Sequence, residues 1–433
     1  MPLLRSFKSS SVRALICVSL ASGLAASANF QILYEFGRAG DGMTPASLPV
    51  IDGDGVLYGT TSSGGSVQVC TNGCGTVFAL TPPASPGGAW TEQVLWSFGA
   101  GVDGKNPMGR LALRADGVLY GSTPYGGTGN CTNGCGTVFA LTPPASPGGA
   151  WTEQVLYSFS GGTDAATPLA GVSLGANGIL YGTTYAGGTA NFGTVFSLTP
   201  PISPGGPWTE TVLHSFKGAP DDGANPTQIV ALGSKGVLYG TTVAGGSNTN
   251  GGTAFSLIPP AATGGSWAEK VIYRFNGRPG HGGGGISPDT SLVLGNGVLY
   301  GTTGTTATIF SLTPPSAPGG SWSDNILIEK LSLGTPMGNL LLDVSTGAIF
   351  GTSWQGGQSQ ACGAGGCGTA WEAVPSTSPG GPWSFHIMHD FSLTDGAYPQ
   401  EGVSQNNGTL YGTTELGGAY GGGIAFSLSP GAS

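Results

Sequence analysis

Apolar residues recur at every second position in short runs along this chain, and clusters rich in Gly, Pro, Asn and Asp separate the runs. A period of two marks half-buried β-strands, and clusters of that composition mark turns. The stretch from Leu111 to Phe159 shows one full set. Leu111 to Leu113 leads through Asp116-Gly117 into Val118-Leu119-Tyr120, so strands A and B are predicted to form a tight hairpin. A Gly-rich loop follows, then strand C at Thr137 to Leu141, whose β-branched and aromatic residues suit a pleated surface. Thr142-Pro143-Pro144 ends it, because proline cannot donate to a central ladder. After a Pro-Gly-Gly turn, strand D runs from Trp151 to Phe159, with Trp151, Val155, Tyr157 and Phe159 on one face.

The set returns seven times, at Tyr58-Gly59-Thr60, Tyr120-Gly121-Ser122, Tyr181-Gly182-Thr183, Tyr239-Gly240-Thr241, Tyr300-Gly301-Thr302, Phe350-Gly351-Thr352 and Tyr411-Gly412-Thr413. Spacings of 62, 61, 58, 61, 50 and 61 residues are the signature of a repeat architecture. Phe30 to Phe36 reads as a strand D without its A, B and C, and Ile424 to Leu428 reads as a strand C without its D. Complementary half-units close a ring and remove an exposed edge, which a Gly-rich β-helix, the rival fold, has no use for. The predicted fold is all-β: a seven-bladed β-propeller of four-stranded antiparallel blades, closed by the N-terminal strand completing the last blade.

The recurring Leu-Tyr-Gly-Thr-Thr, then Gly-Gly, then Gly-Thr-Val-Phe-Ser-Leu-Thr-Pro, as in Leu180 to Pro200, resembles the GloVer tandem repeat of exported bacterial proteins. The resemblance spans essentially the whole chain after the leader. It implies an extracellular repeat protein, often with a C-terminal anchoring or sorting segment, and no established activity. The sequence stops at Ser433 soon after its last strand, so a periplasmic or released protein is expected.

Residues 1–28 carry a basic start (Arg5, Lys8, Arg13), an apolar stretch from Ala14 to Leu24 and the small-residue end Ala26-Ser27-Ala28, the order of a secretory signal. The apolar stretch is too short to span a membrane, which leaves residues 29–433 as one exported propeller domain. Without the leader, 10 Lys and Arg face 22 Asp and Glu, about −12 by formal count. That balance excludes nucleic acid, whose binding needs clustered positive charge. Six cysteines remain in three close pairs, Cys70 with Cys74, Cys131 with Cys135 and Cys362 with Cys367. Export favours local disulfides over zinc, and no histidine recurs beside them to complete a metal site. A monomer without metal or cofactor is expected.

Chain direction alternates along the strands, so the B–C and D–A loops share one face, the top. The D–A loops carry Asp41, Asp103, Asp164, Asp222 and Asp395, which either form a ring for a cation or polyhydroxylated ligand or accept hydrogen bonds from their own turns. One aromatic opens strand D in each blade, Trp90, Trp151, Trp208, Trp267, Trp322 and Trp383 with Phe30 in the seventh, and reads as packing between sheets. Tyr125, Tyr185 and Trp354 are the non-repeated aromatics of the B–C loops, suited to the flat faces of sugars. Arg274, Arg278 and His281 surround the longest D–A loop, a cationic cluster able to hold an acidic sugar. The three longest B–C loops are the three that carry cysteine pairs, and the fifth is the shortest. No nucleophile elbow, zinc helix or phosphate loop occurs. The sequence therefore points to a binding or structural module for carbohydrate, a cell-surface polymer or a protein. The alternatives are a polysaccharide hydrolase or lyase using top-face carboxylates, and an envelope scaffold.

Overall fold

The computed structural model describes residues 28–429 except 67–68, 86, 147, 204, 263, 277–285, 318, 330–333 and 379. The predicted leader, apart from Ala28, and the candidate residues Arg278 and His281 lie outside the described residues. Among the described residues there is no α-helix, and the strands form seven four-stranded antiparallel blades in a ring around a central channel. Blade 2 is typical, with A at Ala112–Leu113, B at Leu119–Thr123, C at Thr137–Thr142 and D at Thr152–Ser158, hydrogen-bonded in that order. In the last blade Ser404–Asn406, Thr409–Thr414 and Ile424–Ser429 supply A to C, and Asn29–Glu35 supplies D. The ring thus closes through its first strand, as the two half-units require.

The repeated phrase has a packing cause at each letter. A Cβ on the glycine would lie 2.5 Å from the ring of the strand C phenylalanine, as at Gly59 with Phe78 and Gly182 with Phe196. Only glycine lets that ring lie flat across strand B. The following threonine ties its blade to the next: Thr183 Oγ1 donates to Gln228 O (2.8 Å), Thr241 Oγ1 to Thr290 O (3.2 Å) and Thr413 Oγ1 to Ser47 O (3.1 Å). The tyrosine meets the tryptophan that opens the next strand D, with centroids 6.2 Å apart for Tyr58 and Trp151 and 6.0 Å for Tyr120 and Trp208.

A second aromatic seam uses the phenylalanine that follows strand D. Phe36, Phe98, Phe159, Phe216, Phe275 and Phe391 are completely buried, and each packs on the strand C ring of the next blade, as Phe98 does on Phe139 at 5.0 Å. Burying one such ring stabilises by roughly 1.5–3 kcal/mol, so the blade-to-blade seams carry much of the fold. The A–B turns also fit their residues. Asn296 and Gly297 have φ of 51° and 81°, the pair of left-handed residues that a two-residue hairpin requires. Lys235, a weaker turn former, adopts φ 58° in the equivalent place.

Phe30 departs from its expected position. It pairs with Leu428 as Glu92 pairs with Leu80, so it stands in the glutamate's place and Ala28 in the tryptophan's. Its ring stacks on His389 at 3.7 Å with the planes 3° apart.

Candidate functional site

The five D–A aspartates each serve their own turn. Asp41 accepts from Gly42 N (2.6 Å) and Gly37 N (3.2 Å), Asp103 from Gly99 N (2.8 Å) and Asp164 from Ser160 N (2.8 Å). Asp222 accepts from Gly223 N (2.6 Å) and Asp395 from Ser392 N (2.7 Å). Each also accepts from a side chain near the end of strand D. The donors are Tyr34 to Asp41 (3.1 Å), Trp96 to Asp103 (3.4 Å), Tyr157 to Asp164 (3.3 Å), His214 to Asp222 (3.1 Å) and His389 to Asp395 (3.2 Å). With these partners the carboxylates form five separate joints, not one ring-shaped site.

A glutamate from the next blade's strand D completes four of the joints. Burial, with the neighbouring aspartate adding to it, pushes Glu92 up to about 8 and Glu153, Glu210 and Glu269 up to about 7. At each of the four one glutamate oxygen is buried without a hydrogen-bond partner. In the fourth joint one ligand atom each of His214, Asp222 and Glu269 lies within 4.8 Å of the others, a set able to hold a cation. The same orphaned oxygen recurs at Glu153, where the indole of Trp96 stands in the histidine's place and can bind no metal. The histidine is therefore one blade's version of a structural joint.

The other sequence candidates fall in several places. Tyr125 and Tyr185 are exposed on the B–C loops of adjacent blades, where Tyr125–Gly126 pairs with Gly104–Lys105 of the D–A loop. Trp354 is half-buried on the far side of the ring, packed on Tyr398 at 5.2 Å, with Nε1 donating to Glu415 Oε2 (3.4 Å). The three aromatics do not form one platform. Arg274 is exposed, and its Nη2 donates to Asp221 O (3.0 Å). Three disulfides staple the long B–C loops: Cys70–Cys74, Cys131–Cys135 and Cys362–Cys367.

What the sequence reading missed lies at the central channel, a cavity of about 730 Å³ lined by the A strands and the residues just before them. Counting from the proline of each D–A loop, the third residue is Leu48, Gly171, Ile229 or Gly402 in four blades. In blades 2, 5 and 6 it is Arg110, Ser291 or Asn339, and these three line the channel. Glycine lets neighbouring collar segments touch: Arg110 N donates to Ala170 O (3.2 Å), and a Cβ on Gly171 would lie 2.1 Å from Arg110 O.

Two hydrogen-bonded sets, joined through the adjacent residues Gln400 and Glu401, run from this collar to Trp354. Asn339 Nδ2 donates to Glu401 Oε2 (3.0 Å), and Gln400 Nε2 and Trp354 Nε1 both donate to Glu415 Oε2. On the other flank Ser291 Oγ donates to Gln228 Oε1 (3.2 Å), and Gln228 Nε2 donates to Asp289 O (2.9 Å). Burial raises Glu401 to about 8 and Asp289 to about 6. Gly304, in the shortest B–C loop, leaves room for Asp289, since a Cβ there would lie 2.8 Å from Oδ2. The one available signal was a break in the repeat: charged or amide residues where other blades have Leu, Ile or Gly.

The model of the Gloeobacter/Verrucomicrobia repeat matches residues 22–196 and 129–361, and the chain belongs to that family. No curated protein matches it. Among solved structures, the fold is similar to the periplasmic gluconolactonase of Pseudomonas aeruginosa at 15% identity, covering 87% of this chain and 97% of that one, with a TM-score of 0.48. The PQQ-bound aldose sugar dehydrogenase of Streptomyces coelicolor is 13% identical over 93% of this chain and 98% of that one, with a TM-score of 0.41. PorZ, a surface component of the type-IX secretion system of Porphyromonas gingivalis, is 13% identical over 92% of this chain and 48% of that one, with a TM-score of 0.49. Likenesses at this level carry no argument about what this chain binds.

Proposed function

We propose that this protein is an exported binding module that recognises carbohydrate or a cell-surface polymer on its top face, around the end of the central channel. Residues 1–28 are read as its cleaved export signal, and three disulfides suit the oxidising compartment that export implies. The observation that carries the reading is the Trp354–Tyr398 pair, linked through Glu415, Gln400 and Asn339 to the channel collar. A sugar offers one apolar ring face and a rim of hydroxyls, which an aromatic pair beside carboxylate and amide groups complements. The test is a glycan and polysaccharide array with wild type, Trp354→Ala and a Tyr125→Ala/Tyr185→Ala variant, all melting cooperatively. Binding that Trp354→Ala loses supports the reading, and binding by none of them contradicts it.

A second reading, hydrolysis or lysis of a polysaccharide, is favoured by Glu401 and Asp289. Burial raises Glu401 to about 8 and Asp289 to about 6, and these two carboxyls of different acidity lie beside the collar residues Asn339, which donates to Glu401, and Ser291, two residues on from Asp289. Release of reducing ends or unsaturated products from any bound polysaccharide, abolished in Glu401→Gln, is the expected result if this reading holds.

A further inference from the structure

We propose that the collar of the central channel binds the carboxylate of an acidic sugar, a uronate, with Arg110 as its counter-ion; this rests on the carbohydrate reading above and names the class of sugar.

Arg110 is the observation to be explained. The residue lines the channel and is half-buried, and burial lowers the pKa of its guanidinium. Its side chain makes no hydrogen bond, ion pair or ring contact with any described residue. An unpaired charge in such a place is costly, and a guanidinium cannot relieve the cost by giving up its proton. Arginines elsewhere in the protein show what a satisfied one looks like. Arg114 holds both oxygens of Asp116, and Arg38 lies over the rings of Tyr34 and Tyr420. The repeat itself does not ask for arginine, since the other blades have Leu, Gly, Ile, Ser and Asn at this position.

Among the described residues the acid that acts on Arg110 is Glu401, and the two attract at a distance without forming an ion pair. Glu401 already receives the Asn339 amide, and its burial favours the protonated form at neutral pH, so a net positive charge remains at the collar. One guanidinium balances one negative charge. Its planar fork matches the two oxygens of a carboxylate, whereas a phosphate dianion would leave a second charge unmatched in the same wall. Ser291 and Asn339 stand on the opposite side of the ring from blade 2 and offer hydroxyl and amide groups for the rest of a sugar. The cavity of about 730 Å³ is large enough for one or two sugar residues.

The test is a titration of the exported chain, followed by ligand-observed NMR and calorimetry, with D-glucuronate, D-galacturonate, their neutral counterparts D-glucose and D-galactose, and acetate. Uronates are expected to bind at least tenfold more tightly than the neutral sugars, and acetate more weakly than the uronates. Arg110→Gln is expected to erase the preference for acid over neutral sugar, and Arg110→Lys to keep part of it. In the wild type, excess acetate is expected to displace the uronates and to leave the neutral sugars bound, a readout that needs no Arg110 variant to fold. Equal binding of uronates and neutral sugars, or an unchanged preference in Arg110→Gln, overturns the anion site while leaving the carbohydrate reading intact. Acetate binding as tightly as the uronates overturns the sugar part of the proposal, and binding of no probe overturns both.

Discussion

The blade joints and the channel collar both place polar side chains inside the ring, the joints by repetition and the collar by departure from it. At the joints, a repeated aspartate accepts two or more hydrogen bonds from its own turn and strand, and the oxygen left unanswered, on the joint glutamate, is the same one in four blades. At the collar, unrepeated residues take over positions that elsewhere hold Leu, Ile or Gly, and the Arg110 side chain makes no hydrogen bond or ion pair with a described residue. Repetition therefore marks what builds the ring, and departure from it marks where we propose that a ligand binds. In a closed propeller the two classes are separated in space as well, with the joints between blades and the collar at the axis.

The largest effect should come from the seams. Gly182→Leu drives a side chain into the Phe196 ring and is expected to cost about 3 kcal/mol or more, read from urea midpoints. Asp103→Ala leaves the Gly99 N–H and the Trp96 indole without their acceptor, an expected loss of about 1–3 kcal/mol. Replacing both Cys131 and Cys135 by serine opens a very short loop and should cost about 2 kcal/mol or less. Arg110→Gln, which removes an unpaired charge, should change stability by no more than about 0.5 kcal/mol in the destabilising direction. Equal losses at joint and collar would erase the distinction between them.

Acidity offers a subtler contrast. The joint glutamates have folded-state pKa values raised above their ordinary value, to about 7 or 8, so the folded protein holds more protons than the unfolded chain between those limits. Their contribution is present below the ordinary glutamate pKa and is lost as pH rises through about 7–8. Melting temperature should fall from pH 5 to pH 9, and replacing Glu92, Glu153, Glu210 and Glu269 together by glutamine should flatten that fall. A melting temperature that rises over the same range would contradict the joint chemistry.

The ring, its closure and the local disulfides were legible because each is written in contiguous sequence. A turn dipeptide, an alternating strand or a cysteine pair four residues apart needs no knowledge of distant chain. The tryptophans read as packing, and they pack on the preceding blade's tyrosine. Phe30 was harder, since a one-position aromatic shift depends on the register of a strand whose partner lies at the other end of the chain. The collar was not legible for the same reason on a larger scale. Arg110, Asn339 and Glu401 come from blades 2, 6 and 7, and only closure of the ring brings them to one axis. Their signal is a break in pattern at one residue per blade, visible only after the units are placed in register by the D–A proline.

The most direct measurement of the central claim is a glycan array read in parallel for wild type, His214→Tyr and Trp354→Ala. His214→Tyr converts one joint to the Tyr157–Asp164 form and leaves the channel untouched. Wild type and His214→Tyr are expected to bind the same glycans with the same strength, and Trp354→Ala to lose them. Binding that survives Trp354→Ala and is lost in His214→Tyr would place the site at the repeated joints and contradict that claim.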